Sequence, residues 1–352
     1  MAALQAAEKR FLESLFRTRV SFDRMERTLY GHDIAEIPSL IKPLVGSTVP
    51  DAVVQPASEE ELVALVRWAQ ENRIPLTPRG RATSGYGGVL PVKGGLVVDF
   101  FHLSKLLEID TKTRTARVQP GICWEKLDRE LAKKDLTLRL YPSSYPAATV
   151  GGWLAQGGAG FGSYESGWFR DNVVSARGVL ADGAVREFSG SDLDLVSEAE
   201  GTTGLISEVT VKVMPKEGLG VISIGCPDAY ELQRLVERIV KDGLPIWSLS
   251  FINPRMAEMK NRAPLRMHAG HAVGERVLLP ASYVMTLAFR EKDRQRIDDV
   301  LPDLFKTCQA ELLSDKVAHH EWDNRFEMMV SNGLVRASCP PRWSSRSLLS
   351  GI

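Results

Sequence analysis

Cysteine is scarce in these 352 residues. The four, Cys123, Cys226, Cys308 and Cys339, are scattered without CxxC spacing, a pattern of reduced thiols rather than a disulfide framework or a thiolate metal cluster. No apolar run approaches the roughly 20 residues that span a bilayer. The first 19 residues alternate charged and apolar positions at helical spacing and lack the apolar core of a signal peptide. A cytoplasmic location is expected, with peripheral membrane association left open. Net charge is missing too: 44 Lys and Arg balance 44 Asp and Glu, so no global field draws in nucleic acid. What the chain does have is glycine, much of it gathered in loops.

Residues 5–29 read as one helix, ended by the turn Tyr30 to Asp33, where Gly31 stops propagation. A short apolar strand follows at Asp51. Ser58 then reads as an N-cap, with Glu61 placed to complete a capping box on a helix running to about Asn72. Ile74 onward leads into a Gly-rich loop, and Gly94 to Asp99 into another strand. Strand-like segments lie between Leu106 and Val118, and Trp124 to Lys134 reads as an amphipathic helix. Val173 to Leu180 and Ala184 to Phe188 form a hairpin about Asp182 and Gly183, and Glu208 to Met214 closes the region. The alternation indicates an α+β domain. Beyond it, two strand–helix–strand halves, 219–252 and 283–319, suggest a ferredoxin-like layer of helices on an antiparallel sheet. Residues 256–282 show no clear periodicity. The organisation expected is an N-terminal helical segment (1–45), the α+β domain (46–215), a second, partial domain (216–330) and an irregular tail (331–352).

Three loops carry the chemistry. In the first, Pro78 to Gly88, residues without Cβ let consecutive backbone N–H groups converge as a pyrophosphate requires, and Thr83 and Ser84 add hydroxyls. A merely flexible turn accounts for the glycines but not for their place between two buried strands. The second runs from Ser143 through Thr149 to Gly158, with a flat aromatic at Trp153. The third is Glu200 to Ile206. Three such loops in one domain imply an extended ligand.

The runs 78–84, 149–152, 169–171, 179–183 and 200–206 resemble, in order and spacing, the FAD-binding domain of the vanillyl-alcohol oxidase superfamily, most of all its glycolate oxidase and D-lactate dehydrogenase branch. The resemblance is dense over about residues 30–215 and looser beyond. It implies a two-subdomain PCMH-type FAD-binding domain followed by a partial ferredoxin-like cap. It further implies that Pro78, Arg79, Gly80, Arg81, Ala82, Thr83, Ser84 and Gly85 cradle the FAD pyrophosphate. Ser143, Ser144 and Thr149, with Gly151, Gly152, Gln156, Gly157 and Gly158, would lie along the flavin. Glu200, Gly201, Thr202, Gly204 and Ile206 would meet the adenine end. Covalent members attach flavin through a histidine; the first loop has Thr83 and Ser84 where one could sit, so the FAD is expected to be non-covalent. Two departures stand out: Arg81 and Ala82 replace a Gly-Thr or Ala-Gly pair, and the second loop reads Ala-Gln-Gly-Gly from Ala155 in place of an Asn-Ala-Gly-Gly type run.

The branch implies oxidation of a 2-hydroxy acid of the D-lactate or glycolate type by hydride transfer to flavin. Electrons would pass on to a quinone, an electron-transfer flavoprotein or an iron–sulfur protein. The branch holds the substrate carboxylate with a cap arginine, whose planar fork suits two oxygens; Arg325 is the candidate, the alternative being a solvated helix charge. His319 and His320 were they on a strand would point to opposite faces, so no metal site is expected. Thr149 to Trp153 also resembles alkyl-dihydroxyacetonephosphate synthase, a second enzyme reading, and a non-catalytic flavin-binding protein is the third. The family's His-rich C-terminal motifs do not occur here. Residues 333–347 can be back-translated with GC-rich codons so that a shifted frame resembles the family's cap linker. A truncating frameshift near Val330 is therefore expected, with a native disordered tail as the alternative.

Overall fold

The first helix stops after three turns because Arg17 adopts a left-handed conformation, φ 55°, and the chain leaves as an extended segment. The single helix expected over residues 5–29 is therefore two, α1 (Ala6–Phe16) and α2 (Arg24–Leu29), separated by a strand, β1 (Val20–Ser21). Helical periodicity continues through the break; pairing of Val20 and Ser21 with Val54 and Val53 overrides it. The structure, a computed structural model, describes residues 4–327 apart from Glu36, residues 264–265 and 269–270, and Gly274. The irregular ending, with Cys339 and the expected frameshift, lies outside the described residues.

Contacts divide the chain into two units, residues 1–160 with 166–216, and residues 161–165 with 217 onward. In the first, a single turn, α3 (Lys42–Val45), precedes β2 (Ala52–Val54), α4 (Glu59–Asn72), β3 (Leu76–Arg79) and β4 (Leu96–Asp99). The sheet order is β1-β2-β4-β3, with β2, β4 and β3 parallel. Strands in this arrangement are buried on both faces, which is why β2 and β4 are unbroken apolar runs. Ser58 caps α4 as expected, its hydroxyl accepting from the Glu61 N–H at 3.3 Å. The Glu61 carboxylate closes no capping box: it accepts from the Ala57 N–H and pairs with Arg19. Leu62, Leu65, Val66 and Ala69 form the buried stripe of α4, at the i, i+3, i+4, i+7 spacing of an amphipathic helix. Truncating Leu65, fully buried, would cost about 2–5 kcal/mol.

The chain then forms β5 (Leu106–Asp110), β6 (Thr115–Val118), α5 (Trp124–Ala132), β7 (Leu136–Leu138), α6 (Val150–Gln156), α7 (Ser163–Ser166), β8 (Val173–Val179), β9 (Val185–Ser189) and β10 (Leu205–Pro215). They make a second sheet, β5-β6-β10-β8-β9, with β7 paired to the far end of β10. β10 is its central member, antiparallel to β6, β7 and β8. This is the α+β, two-subdomain arrangement expected from the alternation of elements.

The second unit holds β11 (Leu219–Cys226), α8 (Ala229–Lys241), β12 (Ile246–Ile252), α9 (Pro254–Arg262), a small hairpin of β13 (Arg266–His268) and β14 (His271–Val273), β15 (Tyr283–Arg290), α10 (Arg294–Thr307), β16 (Glu311–Leu312) and α11 (Asp315–Asp323). The order β12-β15-β11-β16, every pair antiparallel, is the ferredoxin-like pattern. Its core includes Ile224, Leu235, Leu287 and Leu304, with the thiols of Cys226 and Cys308 among them. Burial pushes the Cys226 thiol up to about 11. One expectation is corrected: 311–319 is not a strand, because only Glu311 and Leu312 pair before α11 begins. Val317, Ala318 and Glu321 are buried at helical spacing, so His319 and His320 stand on a helix.

Candidate functional site

The first unit contains a cavity, about 1000 Å³ when the open solvent at its mouth is included. All three Gly-rich loops line it. β3 delivers the first: Arg79 pairs with Asp99 of β4, and the chain then turns through Gly80 to Ser84, with Ala82 in the left-handed region at φ 50°. Among the described residues none accepts a hydrogen bond from the backbone N–H groups of Gly80 to Ser84. A run of free N–H donors with a left-handed residue inside it is an anion-binding concavity. The buried Ser84 hydroxyl also has no partner among the described residues.

Glycine is required where the loops meet. A Cβ on Gly80 would lie 2.4 Å from Oγ1 of Thr149, which caps α6 by accepting from the Gly152 N–H at 3.2 Å. A Cβ on Gly201 would lie 2.2 Å from Cγ of Pro78. The second and third loops thus both close on the first.

Pro78 through Ser84 line the cavity, as do Ser144, Thr149, Gly151, Gly152 and Gln156, then Glu200, Gly201, Gly204 and Ile206. Five of the expected residues stand behind the wall. Gly85 packs against Ala35, Gly157 against Glu198, and Ser143 is exposed. Gly158 accepts from the Phe169 N–H, and Thr202 folds back onto the Ala199 carbonyl. Trp153 lines the cavity and stacks on Phe169 at 4.4 Å, with Trp124 edge-on to both.

Asp33 was missed by sequence reasoning, which saw only a turn after a helix. It lines the cavity, its carboxylate accepting from the N–H groups of Ala35 and Gly87. The same turn holds Arg79, whose guanidinium donates to the carbonyls of Tyr30 and His32, at 3.3 and 2.9 Å, and lies 5.0 Å over the Tyr30 ring. Tyr30 in turn donates to the buried Asp99 carboxylate at 2.7 Å, which also accepts from Gln55. Burial, then this hydrogen bond, raises the Tyr30 pKa. The signal that could have found its place at the site is its position, an acidic residue two places after the glycine stop at Gly31.

Arg325 belongs to the second unit. It donates to the Trp322 carbonyl at 2.6 Å and lies over the rings of Trp322 and Phe326, at 4.1 and 4.3 Å. It is half-buried and lies just beyond the end of α11. Among the described residues no cluster of His, Cys, Asp and Glu is arranged to hold a metal, and no helix is long and apolar enough to cross a membrane.

Residues 50–189 match the FAD binding domain family. The chain is 35% identical over 178 residues to glycolate oxidase subunit GlcD of Bacillus subtilis (strain 168), covering 48% of this chain and 38% of that protein. It is 28% identical over 299 residues to the mitochondrial D-lactate dehydrogenase [cytochrome] of Arabidopsis thaliana, covering 82% and 50%. To alkyldihydroxyacetonephosphate synthase of Caenorhabditis elegans it is 30% identical over 220 residues, covering 58% and 37%. A solved alkyldihydroxyacetonephosphate synthase superposes with a TM-score of 0.78 at 20% identity over 95% of this chain and 64% of that one. The matched stretch is thus about half, or less, of each of these three relatives' length.

Proposed function

We propose that this chain, which carries the FAD-binding domain of the vanillyl-alcohol oxidase superfamily, is the flavin-holding portion of an FAD-dependent oxidoreductase acting on a 2-hydroxy acid of the D-lactate or glycolate type. The observation that carries the reading is the cavity made by three loops, with free backbone donors from Gly80 to Ser84, an unpartnered Ser84 hydroxyl and glycines that no other residue could replace without overlap. These features fit FAD: the first loop would hold the pyrophosphate, the second would lie along the flavin, and the third would meet the adenine end. Bound there, FAD supplies hydride acceptance, and the protein supplies orientation and electrostatics.

Among the described residues, none of those lining the cavity is a histidine or a cysteine, which supports a dissociable, non-covalent FAD. The similarity to glycolate oxidase and D-lactate dehydrogenase supports a small 2-hydroxy acid as substrate. Arg325, its fork held flat by two aromatic faces, is the proposed carboxylate ligand. Electrons would leave to a quinone, an electron-transfer flavoprotein or an iron–sulfur protein. The 30% identity to alkyldihydroxyacetonephosphate synthase favours a second reading, an FAD enzyme without net substrate oxidation.

The visible spectrum of the purified chain before and after anaerobic D-lactate or glycolate tests the proposal. Flavin absorbance that bleaches supports it. Flavin that stays oxidised with both acids, together with exchange of the acyl group of an acyl-dihydroxyacetone phosphate for a long-chain alcohol, giving the ether and releasing the fatty acid, replaces it with the second reading.

A further inference from the structure

The second loop is held from behind by α5. That helix has no side-chain cap. Its first two N–H groups, of Trp124 and Glu125, donate instead to loop carbonyls, those of Ala148 at 3.0 Å and Pro146 at 3.3 Å, so the loop satisfies donors that a helix end leaves free. One turn further on, the acidic residues of α5 differ in what they meet. Glu125 and Glu130 pair on the helix surface with Arg129 and Lys133, whereas the half-buried Asp128 gathers hydroxyls. Its Oδ1 lies 3.2 Å from the hydroxyl of Thr137 and 3.1 Å from that of Tyr141, and these two hydroxyls are 2.8 Å apart. Its Oδ2 accepts from Tyr145 at 3.4 Å. Thr137 lies on β7, Tyr141 is buried where the chain has left that strand, and Tyr145 stands within the loop beside Ser144, which lines the cavity. The two tyrosine rings meet edge to face at 5.2 Å. Burial, then the charge of Asp128, raises the Tyr141 pKa, so that hydroxyl stays protonated. The chain beyond α6 returns to the same place: a Cβ on Gly160 would overlap the Tyr141 carbonyl oxygen.

We infer that Asp128 is a positioning residue of the proposed FAD site, holding the second loop in the shape that receives the flavin and acting through Tyr145 and Tyr141 rather than on the ligand itself. The inference rests on, and deepens, the reading of this cavity as an FAD site. Ser144 and Ala148 line the cavity, while Pro146 and Ala148 anchor on the end of α5 and Tyr145 on its side. The loop is thus pinned to one helix by both its backbone and a side chain, and a shift at Asp128 is passed to the cavity wall. An ionised carboxylate only accepts, and its two oxygens can serve several O–H donors at once. Bonds to a charged acceptor are also stronger than bonds between neutral groups. One acidic side chain therefore fixes β7, the residue at which the chain turns from it, and the loop. Among the described residues, those of the first and third loops take no part in this network. Its loss should act on the flavin half of FAD and spare the adenosine diphosphate half.

The test is a titration of the flavin-free 352-residue chain with FAD and, separately, with ADP. Wild type should bind both. Asp128→Ala should weaken FAD roughly tenfold, the loss expected for one charge-assisted hydrogen bond, with ADP affinity unchanged. The visible circular dichroism of the flavin bound at saturation should also differ from wild type. Asp128→Asn keeps a carbonyl oxygen for Thr137 and Tyr141 and offers an amide donor to the Tyr145 hydroxyl, so it should bind FAD within about threefold of wild type. Thermal melts of the flavin-free variants read the fold separately. Tyr145→Phe removes one hydroxyl and keeps the ring; it should move the FAD readings in the same direction as Asp128→Ala and carries the test if that variant loses its fold. FAD affinity and circular dichroism unchanged in these two variants overturn the positioning role and leave the FAD site standing. FAD and ADP weakened alike also overturn it, because the residue then supports the unit as a whole. Wild-type protein that binds ADP but not FAD removes the flavin reading and the inference with it.

Discussion

The buried Ser207 hydroxyl of β10 donates at 2.6 Å to the carboxylate of Glu59, the first residue of α4. Arg177 of β8 grips the same carboxylate with two bonds, at 2.8 and 2.9 Å. One acidic group thus ties the helix of the parallel sheet to the antiparallel sheet. The Arg177 bonds, assisted by Ser207, hold the Glu59 pKa below the ordinary carboxylate range.

A pKa depressed in the folded state stabilises the protein above the unfolded Glu value, about 4.3, and that contribution disappears as pH falls through the folded value. Urea midpoints measured downward from pH 7 should therefore drop through this region. Glu59→Gln should cost about 1–2 kcal/mol at pH 7 and make the drop shallower. A mutant with an unchanged midpoint at pH 7 would show that the tie contributes nothing.

Gly80→Ala should damage the cavity and the fold together. The new methyl would meet Oγ1 of Thr149 at 2.4 Å, and displacing that residue also loosens the cap of α6. The cost expected is about 1–3 kcal/mol, read as a lower melting temperature, with reduced FAD occupancy in the purified protein. Wild-type occupancy in the alanine variant would contradict the close approach.

Tryptophan emission should report cofactor uptake, because Trp153 lines the cavity. Trp153→Phe keeps an aromatic ring against Phe169 and removes the fluorophore beside the ligand. FAD should quench the wild-type chain strongly and the variant much less. Equal fractional quenching in both would place the flavin elsewhere.

In the second unit, Lys260 of α9 and Glu321 of α11 form a largely buried pair at 2.6 Å. Lys260→Met should destabilise by about 3–5 kcal/mol by leaving a buried carboxylate uncompensated, and adding Glu321→Leu should restore much of the loss. Thermal melts of the two variants decide it. A double variant as unstable as the single one would mean that the pair also fixes the helix geometry.

The parts of the fold written in local chemistry could be read from the sequence. Ser58 caps where a short polar side chain precedes an apolar stripe, and Asp182 and Gly183 turn between β8 and β9. The loop positions of the candidate site were legible because glycine marks places where chains approach closely. What was not legible depended on distant partners. Nothing near Arg17 announces that Val20 will pair with Val54. The helix from Asp315 was not legible until burial of Val317, Ala318 and Glu321 revealed its period. Tyr30 and Asp33 gained their roles only when α2 brought them beside a loop 49 to 54 residues later in the chain, at Arg79 and Gly87.

The central place of β10 sets the order in which this protein can be made. Its partners β6, β7 and β8 all leave the ribosome before it does, and none of them is joined to another of the three in the sheet. Contacts this distant in sequence form late, and nascent chains fold as units once those units are complete. The third loop, Glu200 to Ile206, emerges immediately before or with this strand. A nascent chain that has emerged only as far as the second loop and β8 would thus display an unsealed sheet, and emergence of the third loop with the eleven residues of β10 would bring the cavity into being.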